Sequence, residues 1–419
     1  MNNIQNIKGT KDILPEESVI WQYVESKIHL FFKRYGYSEI RTPAFENTKL
    51  FKRSIGEDTD IVSKEMYSWI DQGGNDITLK PEVTASVVRS YTQNNLGKVS
   101  PINNLYYIDT LFRRERPQKG RYRQFHQFGV ESLGSKFPEQ DAEVIALAYN
   151  LYKYLGLNDL TLKINSIGSS DTRKLYKEKL YNYLLPFQND LTQVSQRRLV
   201  KNPLRILDTK VEHEIKILKD APRIIDCLDK DDKIHFDKVL SLLDKMKINY
   251  LIDHKLVRGL DYYSRTVFEI QNKSLGAQDA LCGGGRYDHL VQNLGGKSTP
   301  AFGFAAGLER LILALDIDSL NINQNPDIYI VSVGDNAIEF AMNIANQLRV
   351  QENLTVVTDT LRRSLKSQMK KANNLHAQYT IIIGDNEIDS GEIIIKNMES
   401  GNQESVKFEK VGSYFSSKN

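Results

Sequence analysis

Between Arg113 and Arg123 the chain carries six basic residues against one acid, Glu115. The run lies between two stretches that read as strands, 105–108 before it and 124–130 after it, with Pro117 and Gly120 in the connection. A hairpin with a long basic loop suits a phosphate-rich ligand, because guanidinium groups stay charged and match phosphate oxygens with a rigid fork. On the second strand, alternation at period two sends Phe125, Gln127, Gly129 and Glu131 to one face. A Gln and a Glu beside an arginine-lined phosphate site imply a second substrate, polar and amine-bearing. A solvated basic hairpin is the plain alternative for a charge run. The density of arginine, the Pro and Gly of the loop and the polar inward face argue against it.

Three other segments carry candidate chemistry. Lys80-Pro81-Glu82-Val83-Thr84 reads as a turn opening a helix, where Glu82 and Thr84 either present oxygens to an ammonium group or cap the helix. In Arg258-Gly259-Leu260-Asp261-Tyr262-Tyr263 a glycine follows an arginine, and its missing side chain and free φ would let the cation close on a phosphate. The two tyrosines offer phenolic hydroxyls to ring nitrogens, or simply pack. Glycines crowd two further pieces, Gly283-Gly284-Gly285-Arg286-Tyr287-Asp288 and the stretch 301–311, which contains Arg310. There a bare backbone can approach a flat ligand, and Arg310 can stack on a purine or meet a phosphate. Helix–sheet packing would use the same glycines. Neither piece is a Walker A loop or has Rossmann spacing.

The elements that must position these residues are legible in outline. A helix follows Pro15, with Val19, Ile20, Tyr23, Val24, Ile28, Phe31, Phe32 and Tyr35 on one stripe and Gly36 as its stop. An extended segment then runs over 37–42 to Pro43; its aromatic surface reads equally as core or as subunit interface. Strands are predicted at 77–79, 160–164, 267–270 and 279–282, and helices at 81–91 and 139–154. Residues 170–255 are helix-rich and dense in Lys and Asp, as an insertion into a sheet domain would be. The pattern is α+β, a catalytic domain over 1–325 built on an antiparallel sheet. Over 326–419, strands (328–333, 354–358, 379–383, 392–395) alternate with helices (337–350, 364–374), a small α/β domain expected to hold a parallel sheet. Arg362, Arg363, Lys366, Lys370 and Lys371 put five cations in ten residues, and the four-residue spacing of Arg362, Lys366 and Lys370 predicts one helical face.

Composition narrows the class. A chain of 419 residues has room for two or three domains. Its net charge of +3 is too small for a general nucleic-acid binder, so any RNA contact must come from local clusters. The two cysteines, Cys227 and Cys282, lie far apart and lack metal-ligand spacing, which argues against a zinc site or a disulfide scaffold and suits a reducing cytosol. Residues 1–9 lack the apolar core of a signal peptide, and no apolar run approaches the roughly 18 residues of a membrane helix. A cytoplasmic protein without membrane contact is expected.

The hairpin, with Phe112-Arg113-Arg114-Glu115 at its core, resembles motif 2 of the class II aminoacyl-tRNA synthetases. Phe304-Ala305-Ala306-Gly307-Leu308-Glu309-Arg310-Leu311 resembles their motif 3, and helix 16–35 with the strand ending at Pro43 resembles motif 1, the dimer interface of that class. The Arg258–Tyr263 and Gly283–Asp288 segments are similar to two signatures of the histidyl-tRNA synthetase family, bacterial type. The similarity runs from Lys8-Gly9-Thr10-Lys11-Asp12 to the C-terminal domain. Val83 departs from it, since the family usually has Gly or Met there.

The resemblance implies a class II catalytic domain with a helical insertion and an anticodon-binding domain at the C-terminus. It implies a ligase that activates L-histidine with ATP to histidyl-adenylate and pyrophosphate, then transfers histidine to the 3′ end of tRNA(His). Glu82, Thr84 and Gln127 would hold the substrate ammonium, and Glu131 and Tyr263, beside Tyr262, would meet the imidazole nitrogens. Such a pocket leaves a buried acid unpaired against an apolar analogue, so no editing domain is expected. Arg113 would bind the α-phosphate, Glu115 the adenine amino group, Phe125 the adenine face, and Arg121 and Arg310 the bent phosphate tail with Mg²⁺; no dedicated protein cage for a metal is expected. Arg258 would stand where many class II relatives use a metal ion. Arg114, Arg116, Gln118, Lys119 and Arg123 would guide the tRNA acceptor end, and Arg362, Arg363, Lys366 and Lys370 would serve the anticodon domain. A homodimer through motif 1 is implied. Two rival readings are the regulatory subunit of ATP phosphoribosyltransferase, built on the same fold, and a tRNA- or nucleotide-binding protein without ligase activity. The first normally lacks the anticodon domain and the signature arginines, and the imidazole-facing pair speaks against the second.

Overall fold

Strands Asn103–Phe112 and Gln124–Leu133 pair antiparallel without interruption, from Asn103 opposite Leu133 to Phe112 opposite Gln124. They belong to an eight-stranded sheet in which the next strands outward are Ala301–Gly307, Ala280–Arg286, Ser264–Asn272 and Leu160–Ser166, all antiparallel. Each rim carries a very short parallel strand, Ser38–Glu39 beside Asn103–Phe112 and Tyr250–Ile252 beside Leu160–Ser166. The computed structural model describes residues 3–56, 59–116, 120–276, 279–320, 322 and 325–416. It divides into two compact units, Met1–Leu320 and Asn321–Asn419.

Alternation splits the sheet into a packing face and a working face. Phe128 and Val130 point to the packing face with Phe268, Phe302 and Phe304, and three helices cover them. The helix Pro15–Arg34 brings Val24, Ile28, Phe31 and Phe32; it starts on a proline, whose missing N–H is harmless there, and Gly36, at φ +75, turns the chain after it. Pro138–Tyr154 and Lys230–Lys245 bring Leu147, Leu151, Phe236 and Val239. Thus the last helix of the Lys- and Asp-rich block packs on the sheet itself, and the block ends in a rim strand. Its earlier part, the helices Ser170–Leu184 and Gln193–Lys201 with several short turns, builds a second apolar cluster on the working face. A separate three-stranded sheet, Phe45–Asn47, Asp76–Leu79 and Tyr67–Ile70, leads into the helix Thr84–Gln93.

In the second unit, strands Val356–Thr358, Ile328–Ser332 and Tyr379–Ile383 run parallel, with helices Asp335–Gln351 and Leu365–Asn374 between them. The expectation of a parallel sheet fails beyond Tyr379–Ile383. Glu392–Asn397 and Gln403–Lys407 add antiparallel, so the sheet is mixed. The reason is chain length: only the eight residues 384–391 join Ile383 to Glu392, and a parallel crossover needs about a dozen.

Candidate active site

The working face of the sheet holds two adjoining sites. The first is an open cleft lined by Arg113, Glu115, Arg121, Phe125, Arg258 and Arg310, with Gln127 on its floor. The hairpin closes through the Arg113 N–H to the Arg123 carbonyl at 2.9 Å, and the Arg123 N–H reaches the Gly9 carbonyl at 2.7 Å, so the N-terminal segment braces the hairpin. Arg113 donates from Nε to the Pro81 carbonyl at 2.8 Å and lies 5.2 Å over the Phe125 ring. Glu115 sits between two of the cations, 3.7 Å from Arg113 and 3.2 Å from Arg121. Arg310 donates to the Ala280 carbonyl at 2.8 Å. Burial lowers its pKa, and the neighbouring charge of Arg121 lowers it further. Two cations that disfavour one another across a cleft are arranged for an anion.

Arg258 pairs with Glu269 at 2.9 Å. The sequence points to Gly259 as the residue that frees it, and the structure corrects this. Gly259 has open space where a side chain would go and no positive φ; it is Gly283 that makes the room, since a Cβ there would lie 2.1 Å from an Arg258 guanidinium nitrogen. Burial opposes the Arg258 charge, but Tyr263 and Glu269 more than offset it and its pKa is raised.

The second site is a buried polar cluster around Glu131, which is 1% exposed. Thr84 donates to its Oε1 at 2.6 Å, Tyr107 to the same oxygen at 3.3 Å, and Tyr287 to Oε2. Burial pushes the Glu131 carboxyl up to about 8, although these three hydroxyls favour its charged form. Glu82, also buried, has its pKa raised by burial and lowered in part by the Ala85 N–H, which it accepts at 2.9 Å, and by Arg113. Glu82 thus satisfies an N–H in the first turn of the helix, as the capping reading expects, while Thr84 turns its hydroxyl to Glu131. Tyr262 and Tyr263 are buried near the two acids, their ring centroids 4.7 Å apart, and burial raises the pKa of both phenols. Gly303 makes room for the acid, since a Cβ there would sit 2.0 Å from Oε2 of Glu131.

Two members of this cluster were not singled out from sequence. Tyr287 lies inside the Gly283–Asp288 signature. Tyr107 lies directly opposite Gly129, and a Cβ on that glycine would come within 2.5 Å of the Tyr107 hydroxyl. A glycine facing a tyrosine across a pair was the available signal. Val83 is buried in one apolar cluster with Val87, Tyr107 and Leu111, against which Phe125 packs, so the β-branched residue belongs to a core that also holds one residue of each site. Beneath the same turn, buried Lys80 donates to Asp109 at 2.5 Å and to the Thr42 carbonyl at 3.0 Å.

Of the residues assigned to the tRNA acceptor end, Arg114 and Arg116 are exposed beside the cleft. Arg123 is half-buried, with its Nε buried and lacking a hydrogen-bond partner. Gln118 and Lys119, with Pro117, lie outside the described residues. Among the described residues no group of three or more His, Cys, Asp or Glu converges on a point.

In the second unit the single basic face is corrected. Arg362 precedes the helix Leu365–Asn374, at φ +53, and pairs with Asp335 at 2.8 Å. Arg363 is held by Asp359 at 2.5 Å and reaches the Tyr329 hydroxyl at 3.4 Å. Lys366, Lys370 and Lys371 remain exposed on the helix. Buried Gln368 fixes that helix by donating to the carbonyls of Ser332 and Arg363 and accepting from the Ser332 N–H. The four-residue spacing misleads at Arg362 because a left-handed residue cannot continue a helix.

Residues 9–311 match the family model for histidyl-tRNA synthetase, and residues 327–418 match that for an anticodon binding domain. A histidine–tRNA ligase of Halothermothrix orenii is 51% identical over 399 residues, covering 94% of this chain and 95% of that protein. One from Caldicellulosiruptor saccharolyticus is 47% identical over 417 residues, 99% of each. The crystal structure of apo Staphylococcus aureus histidyl-tRNA synthetase aligns with a TM-score of 0.84 at 40% identity, covering 99% of this chain and all of that one (100%). A Bacillus halodurans structure described as an ATP phosphoribosyltransferase regulatory subunit/histidyl-tRNA synthetase shares the fold, with a TM-score of 0.65 at 23% identity over 91% of this chain and 97% of that one. The family match spans the cleft, the buried acid and both glycine-rich strands, and the chain belongs to the histidyl-tRNA synthetase family.

Proposed function

We propose that this protein is a histidine–tRNA ligase whose catalytic domain is the part before residue 326. The observation that carries the reading is a fully buried carboxyl, Glu131, enclosed by tyrosines next to an arginine-lined cleft. A buried acid facing a phenol can accept one imidazole N–H and satisfy the other ring nitrogen, which no apolar side chain can do. Glu131 and Tyr263 take these roles, with Tyr262 supporting, and Glu82, Thr84 and Gln127 receive the ammonium group.

ATP occupies the cleft. Phe125 stacks on adenine and Glu115 accepts from its amino group, while Arg113 holds the α-phosphate and Arg121 and Arg310 the bent tail. Mg²⁺ arrives on the phosphates as part of that substrate and neutralises charge the arginines leave. A carboxylate oxygen of histidine attacks the α-phosphorus in line, the bond to the β-phosphate oxygen breaks, and pyrophosphate leaves. Arg258 meets the negative charge that grows on the non-bridging oxygens. Nothing in this step needs a covalent enzyme intermediate, so positioning and electrostatics supply the rate. The terminal ribose hydroxyl of tRNA(His) then attacks the carbonyl carbon and releases AMP, with the exposed Arg114 and Arg116, and Gln118, Lys119 and Arg123, guiding the acceptor end. The unit from 326 to 419 contacts the anticodon arm, its cations being Lys366 and Lys370 on the helix and Arg362 and Arg363 before it.

The reading includes a homodimer through the helix Pro15–Arg34 and the segment up to Pro43. It also places the protein in the cytoplasm; among the described residues no helix is long and apolar enough to cross a membrane. ATP–pyrophosphate exchange measured with each of the twenty amino acids tests the function. Exchange with histidine alone is expected. Exchange with none would favour a non-catalytic relative, and exchange with a different amino acid would overturn the assignment of the pocket.

A further inference from the structure

Arg258, Tyr262 and Tyr263 lie on a segment, 253–263, that forms neither helix nor strand between Tyr250–Ile252 and Ser264–Asn272. Residues that must be placed to within a fraction of an ångström thus sit on chain without a ladder to hold it. At its start the Asn165 amide donates to the Leu256 carbonyl at 3.1 Å. Further along, the Asp261 N–H makes only a long bond, 3.4 Å, to the Ile55 carbonyl.

What grips the far end comes from the helical insertion. Arg173, on the helix Ser170–Leu184, donates from Nη1 to the Tyr263 carbonyl at 2.5 Å. Arg205, in the turn Pro203–Ile206, donates to Asp261 at 3.2 Å. Burial works against the Arg173 charge and lowers its pKa. The helix that carries Arg173 is itself pinned. Asp232 accepts from the Ser169 N–H at 2.7 Å, from Thr172 at 3.0 Å and from Arg265 at 2.9 Å. Arg265, two residues beyond Tyr263, takes the left-handed conformation at φ +49, and its N–H and carbonyl bond to Gly168 and Ile167 at 2.8 and 2.7 Å. One buried carboxylate therefore fixes both the start of the insertion helix and the residue where the tyrosine segment enters the sheet. Independently, Tyr262, Tyr263 and Tyr287 share one apolar cluster with Tyr176, Leu180, Ile206 and Leu207 of the insertion.

We infer that the helical insertion completes the histidine pocket, with Arg173 as a positioning residue for Tyr263 and Arg205 as a second, more peripheral one acting through Asp261. The inference rests on the ligase reading, and it gives the insertion a part in amino-acid binding that precedes any contact with tRNA. If the arginines were only struts of the insertion, their loss would lower thermal stability and leave substrate affinities alone.

The test is ATP–pyrophosphate exchange without tRNA, reading KM for histidine, KM for ATP and kcat separately, with melting temperatures alongside. Loss of one charge-assisted hydrogen bond corresponds to roughly a 10- to 100-fold rise in the histidine KM. Arg173→Ala is expected to show that rise with its ATP KM within about threefold of wild type, a change of less than one hydrogen bond's worth. Arg173→Lys, which keeps a cationic donor, should recover part of it, and Arg205→Gln should shift the histidine KM in the same direction but less. Arg197→Ala, on an exposed residue of the same insertion, should change neither KM. An unchanged histidine KM in folded Arg173→Ala, or equal rises for histidine and ATP, would overturn the inference. Should Arg173→Ala not fold, Arg173→Lys and Arg205→Gln decide it, and normal histidine KM in both would overturn it equally. A wild-type protein without histidine-dependent exchange would sink the ligase reading itself, an outcome visible before any variant is made.

Discussion

Replacing Glu131 by Gln should make the protein more stable in alkali and leave it unchanged in mild acid. The carboxyl has an ordinary value of 4.5 and is pushed up to about 8 in the folded protein, chiefly by burial. A raised pKa means that the folded state holds a proton the unfolded chain gives up. The contribution to stability is intact below the unfolded value and is lost as pH rises toward the folded one. Taking those two values, the loss is below about 1 kcal/mol at pH 5, roughly 3 kcal/mol at pH 7 and between about 4 and 5 kcal/mol at pH 9. Gln has the same shape and no proton to lose; its single oxygen can still accept from Thr84 and Tyr107, and its amide group replaces the oxygen that faces Tyr287, whose hydroxyl turns to accept from it. Thermal melts of both proteins from pH 5 to 9 should coincide at the acid end and separate steadily above it. At roughly 1–3 °C for each kcal/mol in a unit of this size, the variant should lead by several degrees at pH 9. Parallel curves across the range would refute the reasoning, because they would mean that Glu131 ionises in the folded protein as easily as in water. Binding gives a second readout: the variant should bind histidine less selectively against an isosteric apolar analogue.

Arg258→Ala should lower single-turnover adenylate formation by on the order of 10²–10³, the usual cost of one oxyanion donor, with smaller changes in histidine and ATP affinity; a rate within about threefold of wild type, far short of that loss, would remove Arg258 from the mechanism. Gly303→Ala puts a carbon 2.0 Å from the Glu131 oxygen, so it should raise the histidine KM far more than the ATP KM, and equal rises would count against the arrangement. Replacing Lys366 and Lys370 together by Ala should weaken tRNA charging and flatten its salt dependence while leaving pyrophosphate exchange untouched; an unchanged salt slope would argue that the exposed helix face does not meet RNA. Light scattering should find twice the mass of one chain, and a stable monomer at micromolar concentration would contradict the proposed interface.

The hairpin was legible because alternation and a basic loop are both local signals. Gln127, Gly129 and Glu131 could be placed on one face by period alone, and the helix after Pro15 by its stripe. The cluster around Glu131 was less so. Nothing in the sequence ties Tyr107 or Tyr287 to the acid until the fold puts one opposite Gly129 and the hydroxyls of both on Glu131. Arg173 is invisible in a helix crowded with Lys, since what distinguishes it is a carbonyl ninety residues away. Gly259 and Gly283 show the same limit: sequence marks both as glycines, and only the fold shows which one an arginine must lie against. In the C-terminal unit the polar strand Gln403–Lys407 has no alternation to announce it, and the sheet is already mixed one strand earlier, where the short connection 384–391 returns the chain antiparallel.

The two rims of the large sheet have a consequence for life in a crowded cell. Its six inner strands run seven to ten residues, yet the strands that end it have only two and three, Ser38–Glu39 and Tyr250–Ile252. Six long antiparallel strands with an open border would present a row of unpaired amides and carbonyls on which a foreign strand could crystallise. A stub of parallel chain at each border leaves a stranger only two or three residues of template, too few to anchor a polymer. Expression at high level should accordingly yield soluble protein rather than fibres, and lengthening either stub would be the way to make it aggregate.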